Sequence, residues 1–343
     1  MINLYSDTQT LPTPAMYEAM CQAELGDDQQ GLDATVNKLE ALAARMLGKE
    51  SAVLVASGLM GNLAALMAVA GAGDEVLIDP ESHIWWYEGG SYCSIANLTP
   101  RPVVSHKGLL DPTEVKAQIR PINLHFPTPR VLCLENTHNR AGGRVVPIGL
   151  HRELCDVAHS GGLLVHLDGA RIFNAQVASG TPAAEYARTC DTVQFCLSKG
   201  LSCPIGSVVV ASGAICDRVR RARKRLGGAM RQAGIFAAAG IVALETMIDR
   251  LAEDHANAKR LARGLSQQRG LAVDMDSVET NMVYVDIAAT GSNSSALAAR
   301  LNGAGVMAST PGPTALRFVT HRHITADAVD EALRRIRRVL ENK

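Results

Sequence analysis

Short apolar runs separated by segments of helical length constrain the fold of this chain more than any other feature. The runs with the composition of buried strands are 51–56, 75–78, 130–134, 163–167, 192–197 and 206–211. Strands this apolar are typical of a sheet buried on both faces, and the intervening segments are long enough for crossover helices. Helical periodicity is clearest at 14–25, 35–47 and 59–70. We therefore predict an α/β fold in which helices cover both faces of a mostly parallel sheet.

The last third of the chain predicts a second, smaller unit. Its predicted elements are a long Ala-rich helix at 234–265, strands at 281–286 and 315–319, and a final helix at 326–340. This order of elements indicates a small α+β domain. We place the boundary near residue 245, with a large domain at 1–245 and a small C-terminal domain at 246–343.

Composition and charge restrict the class of partner. The chain has 343 residues, of which 47% are hydrophobic, and this is enough to bury a large core. Lys and Arg number 34 and Asp and Glu also number 34, so no long-range field favours nucleic acid or an acidic membrane surface. We expect the partner to be a small molecule.

Eight cysteines are scattered through the chain without a Cys-x-x-Cys pair, mostly among apolar or small residues. This pattern indicates reduced, buried thiols rather than disulfides. The first seven residues lack the basic and apolar segments of a secretory signal, and no apolar run reaches the roughly 18 residues of a membrane span. We predict a cytoplasmic protein.

Two polar side chains at the ends of apolar runs carry the strongest functional signal. Asp168 closes the run at 163–167, and Lys199 follows the run at 192–197, thirty-one residues after Asp168. A Lys can hold an aldehyde cofactor as a Schiff base, and an Asp can keep a pyridine nitrogen protonated so that the ring withdraws electrons from a substrate Cα. The pair, in this order, indicates an enzyme that uses pyridoxal 5'-phosphate.

Other polar residues also follow predicted strands, and the active sites of parallel sheets gather at the carboxyl ends of strands. Gly58 opens a helix after the run at 51–56, where backbone N–H groups can receive a phosphate, although an ordinary strand-to-helix turn has the same pattern. His83 follows the run at 75–78, where an imidazole can stack on a cofactor ring and accept a proton, or lie in a surface loop.

His125 and His138 are two further histidines that can act as bases or lie on the surface. Metal binding is the other use of these side chains. We find no short His-x-x-x-His or Cys/His pairing around them, and we predict no metal site.

Arginines supply the remaining chemistry. A bidentate guanidinium suits the carboxylate of an amino acid, and Arg171 and Arg317 are the candidates. Arg317 stands inside an apolar run, so it is either functional or on the solvent side of a strand. The basic run at 218–225 predicts a solvated helix face, and Lys224 to Arg231 remain candidates for contact with a phosphate.

Eight short blocks, in order and spread over nearly the whole chain, carry a resemblance to a known family. They are SDT at 6–8, GDD at 26–28 with Gly31, ENTHN at 135–139, HLDGARIFN at 166–174, LSKGL at 197–201, GGAMRQ at 227–232, TNM at 280–282 and RFVTH at 317–321. Together these blocks resemble the L-threonine aldolase family.

The resemblance implies an aspartate aminotransferase-like fold, which is fold type I of the pyridoxal phosphate enzymes, with a seven-stranded sheet in the large domain. It also implies a homotetramer, and reversible cleavage of β-hydroxy-α-amino acids such as L-threonine or L-allo-threonine to glycine and an aldehyde. By this resemblance Lys199 binds the cofactor aldehyde, Asp168 pairs with its ring nitrogen and His83 stacks on the ring.

The resemblance further implies roles for the residues around the cofactor. Ser6, Arg171 and Arg317 hold the substrate carboxylate, while His83 or His125 contacts the β-hydroxyl group. The residues expected at the cofactor phosphate are Gly58, Leu59 and Ser198 from one subunit and Lys224 and Arg231 across a subunit interface.

Two positions depart from the family pattern. Leu59 stands where the family commonly has a Thr whose hydroxyl binds the phosphate, and Gln30, which we take as a substrate contact, lies where a Tyr is common. Trp85, Trp86 and Tyr87 are bulky enough to line an altered aldehyde pocket. The alternatives are therefore a transaldolase or an aldolase for aryl or α-methyl β-hydroxy-amino acids, then a transaminase or decarboxylase, or an inactive relative.

Overall fold

A seven-stranded sheet forms the centre of the larger part of the chain in the computed structural model, which describes residues 1–341. The strands are β1 (Ile2–Asn3), β2 (Ser51–Val55), β3 (Glu75–Ile78), β4 (Thr99–Pro102), β5 (Pro129–Glu135), β6 (Leu164–Asp168), β7 (Thr192–Cys196), β8 (Ser207–Ala211), β9 (Met282–Asp286), β10 (Val306–Met307), β11 (Ser309–Gly312) and β12 (Ala315–Val319). The order in the large sheet is β2-β8-β7-β6-β5-β3-β4, and β8 runs antiparallel to both of its neighbours. The predicted mostly parallel sheet is confirmed.

The helices up to Thr246 cover both faces of this sheet, and the helices after it pack around a separate C-terminal core. They are α1 (Pro14–Cys21), α2 (Ala34–Leu47), α3 (Gly58–Val69), α4 (His83–Trp86), α5 (Ser91–Ser94), α6 (Pro112–Gln118), α7 (Ile148–Ser160), α8 (Ile172–Ser179), α9 (Ala183–Arg188), α10 (Gly213–Arg225), α11 (Gly234–Thr246), α12 (Leu251–Ser266), α13 (Ser294–Gly303) and α14 (Ala326–Glu341). Two apolar cores result, one on each face, and Leu54 and Val53 of β2 point into opposite ones.

Local signals explain where the helices that matter for the site begin and end. The Asp33 side chain accepts a hydrogen bond from the Val36 N–H at 3.0 Å and starts α2, which ends at Gly48 with a φ of 63°. Ser57 caps α3 in the same way, because its Oγ accepts from the Met60 N–H at 3.2 Å. Both helices therefore have fixed first turns.

The sequence patterns missed some elements and misplaced some ends. β4 was not predicted because it is a partly exposed edge strand with two prolines, and such strands lack the apolar signal. The predicted helix at 14–25 ends at Cys21. The predicted long helix at 234–265 is two helices, and acidic residues in the first turn of α12 favour a new start there.

A separate core forms among the C-terminal elements. β11, β12 and β9 make an antiparallel sheet, with α12, α13 and α14 packed around the same core. The N-terminal segment joins this unit, because β1 pairs with β10 and Leu4 is fully buried in its core. The chain then runs from Leu4 in the C-terminal core to Ser6 and Asp7, which lie next to the large sheet. The boundary near residue 245 stays a prediction.

None of the helices among residues 1–341 combines the length and the apolar composition that crossing a lipid bilayer would demand.

Replacing Phe195 by Ala tests the packing of the sheet beneath the site. Phe195 is 1% exposed, and its ring packs edge-on against Phe173 with 5.4 Å between centroids. Removing the ring leaves a cavity, so we expect the free energy of unfolding in denaturant to fall by roughly 3–5 kcal/mol. Phe126→Ala is the control, because that ring is 42% exposed and its removal should change the midpoint little. A wild-type midpoint for Phe195→Ala would contradict the packing described.

Candidate active site

A cavity of about 340 Å³ lies where the N-terminal segment, the carboxyl ends of the central strands and the C-terminal sheet meet. Its lining residues are Tyr5, Ser6, Thr8, His83, Tyr87, Asn139, Arg171, Lys199, Ser309, Thr310, Pro311 and Arg317. The lining carries two guanidinium groups and one ammonium group, and none of these twelve residues carries a carboxylate. The cavity is therefore suited to an anionic ligand.

Asp168 ends β6 beside this cavity and is 2% exposed. Its Oδ2 accepts a hydrogen bond from Asn62 Nδ2 at 3.0 Å, and its Oδ1 accepts from the Ala170 N–H at 3.0 Å. An oxygen of Asp168 and the ring nitrogen of His83 also lie within 4.8 Å of each other. Two fixed hydrogen bonds thus orient this carboxylate toward the ring that lines the cavity.

His83 begins α4, just past β3, and its side chain lines the cavity. Its Nδ1 lies 2.9 Å from Glu88 Oε1, and its backbone N–H donates to Glu135 Oε2 at 2.6 Å. Burial works to lower the pKa of His83, but the hydrogen bond to Glu88 and the charge of Asp168 raise it above its ordinary value. The predicted position of His83 at a strand end is confirmed, and it is not a free surface histidine.

Lys199 lies in the tight turn that follows β7. The carbonyl oxygen of Lys199 accepts hydrogen bonds from Thr10 Oγ1 and from the Ser202 N–H, both at 2.8 Å, and these fix the backbone. Among the hydrogen bonds and ion pairs of residues 1–341, none uses Lys199 Nζ. The amine therefore reaches the cavity from a fixed backbone and without a carboxylate partner.

Arg171 is held by a carboxylate that the sequence patterns did not single out. Its Nε and Nη2 donate to the two oxygens of Asp7 at 2.7 and 2.6 Å, and Asp7 is fully buried. Burial alone would raise the pKa of Asp7, but the charge and the hydrogen bonds of Arg171 outweigh burial and hold that pKa well below its usual range. Two of the donors expected for a substrate carboxylate are thus already occupied. Arg171 Nη1 is the nitrogen that remains.

Arg317 differs from Arg171 because it donates hydrogen bonds to neutral side chains and not to a carboxylate. It lies on β12, where its Nε donates to Ser309 Oγ at 3.1 Å and its Nη1 donates to Asn139 Oδ1 at 3.0 Å. Both partners are neutral, so no carboxylate competes for its charge. Ser6 lies on the same cavity, with its Oγ accepting from Thr8 Oγ1 at 2.8 Å. Arg317 is therefore on the cavity side of its strand and not on the solvent side.

The first turn of α3 faces the end of β7. A Cβ atom at Gly58 would lie 2.9 Å from Cys196 Sγ and 3.3 Å from Gln194 Nε2, so a side chain at this position would force a shift. The N–H groups of Gly58 and Leu59 have no acceptor within a helix that starts at this point. The turn thus brings bare backbone donors close to the sheet.

Several predicted site residues lie outside the cavity of this single chain. His125 is in an exposed loop, and Gln30 is exposed at the end of the short helix Asp28–Gln30. Lys224 donates to Gln29 Oε1, and Arg231 donates to Asp27 Oδ2 at 2.7 Å. Ser198 is half-buried next to Lys199. The contacts proposed for these five side chains stay predictions.

Four polar residues around the cavity were given no role by the sequence patterns. They are Asp7, Asn62, Glu88 and Asn139. Asn62 carried a usable signal, because it is the one polar side chain in the otherwise apolar stretch from Gly58 to Val69. Glu88 carried none, since a carboxylate five residues after a His is ordinary on a surface.

One cluster of side chains that can ligate a metal lies outside the cavity, among residues for which the sequence analysis made no prediction. His151 and Cys155 form a Cys/His pair one helical turn apart on α7, and with Cys190 they place three ligand atoms within 4.8 Å of one another. His151 Nε2 lies 3.0 Å from the Tyr186 carbonyl oxygen, which can only accept a hydrogen bond. The nitrogen therefore carries a proton and has no lone pair available for a metal ion.

Replacing Asp7 by Asn tests the buried ion pair. The change leaves the Arg171 charge buried without its counter-charge, so we expect the free energy of unfolding at neutral pH to fall by roughly 3–5 kcal/mol. Because the pKa of Asp7 is depressed, its contribution is complete above the unfolded value of about 4 and is lost only as the pH falls below it. The difference between the two proteins should therefore shrink at acid pH. Asp330→Asn, which breaks an exposed pair with Arg260, is the control and should be nearly neutral.

Equal stability of Asp7→Asn and the wild type at neutral pH would show that Arg171 does not depend on Asp7.

Known proteins similar to this chain in sequence include L-threonine aldolases. The model of the beta-eliminating lyase family matches residues 3–288. The chain is 40% identical to low-specificity L-threonine aldolase 1 of Arabidopsis thaliana over 338 residues, which cover 97% of this chain and 94% of that protein. It is 38% identical to the low specificity L-threonine aldolase of Escherichia coli strain K12 over 332 residues, 96% of this chain and 97% of that one.

Solved structures agree on the fold. Threonine aldolase of Leishmania major matches with a TM-score of 0.83 at 16% identity, over 98% of this chain and 99% of that one. Serine palmitoyltransferase of Sphingomonas wittichii matches with a TM-score of 0.76 at 17% identity, over 99% and 87% of the two chains. The aspartate aminotransferase-like fold implied by the sequence is confirmed. The chain belongs to the beta-eliminating lyase family and, within it, to the L-threonine aldolases.

Proposed function

We propose that this protein is a pyridoxal phosphate-dependent aldolase that cleaves L-threonine, L-allo-threonine or a related β-hydroxy-α-amino acid reversibly to glycine and an aldehyde. The observation that carries the proposal is the pairing of a Lys amine without a carboxylate partner and a fixed Asp carboxylate at one edge of the sheet, beside a cavity with two guanidinium groups. Membership of the L-threonine aldolases supports the same reaction.

The residues present fit the cofactor. Lys199 offers the amine, Asp168 offers a carboxylate for a protonated ring nitrogen, and the first turn of α3 offers backbone N–H groups for a phosphate. The requirement for a residue without a side chain at Gly58 supports close approach at this turn. When bound, the cofactor supplies an electron sink for the substrate Cα.

The substrate carboxylate is expected on the opposite wall of the cavity. Arg317 has only neutral partners, so its charge is available, and Ser6 adds a hydroxyl group. Arg171 contributes through Nη1 and through its charge, because its other two donors hold Asp7. Carboxylate binding at this wall fixes the direction in which the β-carbon points.

Cleavage of the Cα–Cβ bond requires that the β-hydroxyl group lose its proton. His83 is the residue best placed for this step, since its ring lines the cavity and its Nδ1 is held by Glu88. The other ring nitrogen, Nε2, then accepts the proton, either directly or through an ordered water. His125 stays the second candidate, from the exposed loop that carries it.

An aldolase for aryl β-hydroxy-amino acids such as phenylserine is the second candidate function. Two aromatic side chains, Tyr5 and Tyr87, line the cavity. Arg140 makes this wall rigid, because its Nη1 donates to the Tyr87 hydroxyl at 3.0 Å and its guanidinium lies 4.4 Å from the centre of the Trp86 ring. A flat aryl group would pack on such a wall. Transaldolation between two aldehydes is the corresponding variant of the reaction.

The proposal extends to a homotetramer in the cytoplasm. The free state of all eight cysteines supports a reducing compartment. Exposed apolar side chains, among them Leu25 and Leu32, support an interface between copies of this chain. Lys224 and Arg231 are exposed and would reach the phosphate of a neighbouring subunit.

Product identity tests the proposed reaction. We expect the holoprotein to release glycine and an aldehyde from L-threonine, L-allo-threonine or L-phenylserine, and Lys199→Ala to lose this activity by at least about a thousandfold. Lys49→Ala is the matched control. The Lys49 amine donates to the Cys190 carbonyl oxygen, which lies before the start of β7, whereas Lys199 lies after the end of that strand. Formation of a keto acid or carbon dioxide in place of glycine would contradict the proposal and indicate a transaminase or decarboxylase.

Substitution of Arg317 tests the carboxylate site. Arg317→Gln keeps a hydrogen-bonding group but removes the charge, so we expect KM for the amino acid to rise by about tenfold to a hundredfold with a smaller change in kcat. Arg322→Gln is the control, because that side chain is half-buried away from the cavity lining and donates to the Leu11 carbonyl oxygen. An unchanged KM in Arg317→Gln would place the substrate carboxylate elsewhere.

A further inference from the structure

A buried chain of hydrogen bonds runs from β7 to the cavity and ends at His83. Thr192 Oγ1 lies 2.8 Å from His166 Nδ1, and His166 Nε2 lies 3.0 Å from Asn62 Oδ1. Asn62 Nδ2 then donates to Glu88 Oε1 at 2.7 Å and to Asp168 Oδ2 at 3.0 Å. His83 Nδ1 completes the chain at 2.9 Å from the same Glu88 oxygen.

The protons in this series of hydrogen bonds have one consistent arrangement. Asn62 must turn its NH2 group toward the two carboxylates, so its oxygen has to accept from His166 Nε2–H. Burial lowers the pKa of His166 to about 4, so the ring is neutral at neutral pH, and its Nδ1 accepts from the Thr192 hydroxyl. At the other end, an ionised Glu88 can only accept, so His83 donates through Nδ1–H.

This arrangement leaves His83 Nε2 for the cavity. Among residues 1–341, no hydrogen bond or ion pair uses that nitrogen, and the ring lines the cavity wall. The charged and titratable groups that face His83 are Glu88, Glu135 at its backbone N–H, Asp168 at the end of β6, and Lys199 after β7. Tyr87 packs beside the ring, with 5.4 Å between centroids.

We propose that Glu88 is a positioning residue for the proposed aldol cleavage: its carboxylate fixes the tautomer of His83 that keeps Nε2 unprotonated toward the substrate hydroxyl group. The inference rests on the proposed function for the identity of that hydroxyl group. The assignment of the tautomer rests on the hydrogen bonds above and on an ionised Glu88, whose pKa burial raises while the hydrogen bonds from His83 and Asn62 lower it. Asn62 and His166 serve the same end, because they hold Glu88 and Asp168 at a fixed separation.

Glu88→Gln separates the charge of this residue from its geometry. The two hydrogen bonds of Glu88 both end on Oε1, and a Gln carbonyl oxygen at that position can accept both. The substitution therefore removes the negative charge while it keeps the contacts. Glu75→Gln is the matched control, since Glu75 is equally buried but lies at the start of β3, at the opposite edge of the sheet, with Arg120 as its partner.

The pH dependence of kcat is the first readout. His83 must be neutral to accept a proton, so kcat of the wild type should rise with pH through the pKa of His83, which lies above its ordinary value. Loss of the Glu88 charge lowers that pKa, and the acid limb of kcat should move to lower pH by about one to three units in Glu88→Gln. The plateau of kcat should fall about tenfold, because the remaining base is weaker, while KM changes little.

Nitrogen NMR of histidine-labelled protein is the second readout and needs no activity. With the signal of His83 identified by its loss in His83→Gln, the wild type and Glu75→Gln should show protonated Nδ1 and unprotonated Nε2 above the pKa. Glu88→Gln should show a lower pKa and, because a neutral amide oxygen accepts the Nδ1–H hydrogen bond less strongly than a carboxylate does, a larger fraction of the tautomer protonated at Nε2. An acid limb and a tautomer identical to those of the wild type would overturn the role of Glu88. Absence of aldolase activity in the wild type, with the NMR difference intact, would instead overturn the proposed reaction alone.

Discussion

The site depends on how one amide group holds two buried carboxylates at the edge of the large sheet. Asn62 donates to Glu88 and to Asp168, and both carboxylates are almost fully buried. Two like charges at this separation are costly in a low-dielectric environment unless cations or donors face them. His83 faces Glu88, and in the proposed function a protonated cofactor ring is the partner for Asp168. Asn62 on α3, Glu88 just after α4 and Asp168 at the end of β6 bring the donor and the two carboxylates together at this edge.

A buried ion pair between Asp7 and Arg171 connects the two structural units beside the cavity. Asp7 lies in a segment that follows Leu4, whose side chain is buried in the C-terminal core, and it clamps Arg171, which directly follows the large sheet. Asn281, next to β9, also donates to Asp7 at 3.1 Å. The wall that is proposed to bind the substrate carboxylate is therefore assembled from three distant parts of the chain. This explains why the N-terminal segment is part of the site although it lies far from the sheet in sequence.

Sequence patterns predicted the parts of this arrangement that depend on periodicity or on strand ends. The six buried strands, Asp168 and Lys199 were found in this way, because apolar runs and the residues that end them can be read directly. Partners that reach the site through tertiary packing could not be found, and Asp7 and Glu88 are the examples. Arg317 was ambiguous, since the face of a half-buried strand that turns to the cavity depends on its neighbours. Contacts with a second subunit lie beyond any single chain, so the roles of Lys224 and Arg231 stay predictions. The role of His125 also stays a prediction, because its loop is exposed and away from the cavity of this chain.

The most direct measurement is a crystal structure of the holoprotein with glycine bound. The account predicts that the cofactor ring nitrogen lies within hydrogen-bond distance of Asp168, that the glycine carboxylate contacts Arg317 and Ser6, and that His83 Nε2 faces the space where the aldehyde would form. A glycine carboxylate bound away from Arg317 and Arg171, or a ring nitrogen without Asp168 as its partner, would contradict it.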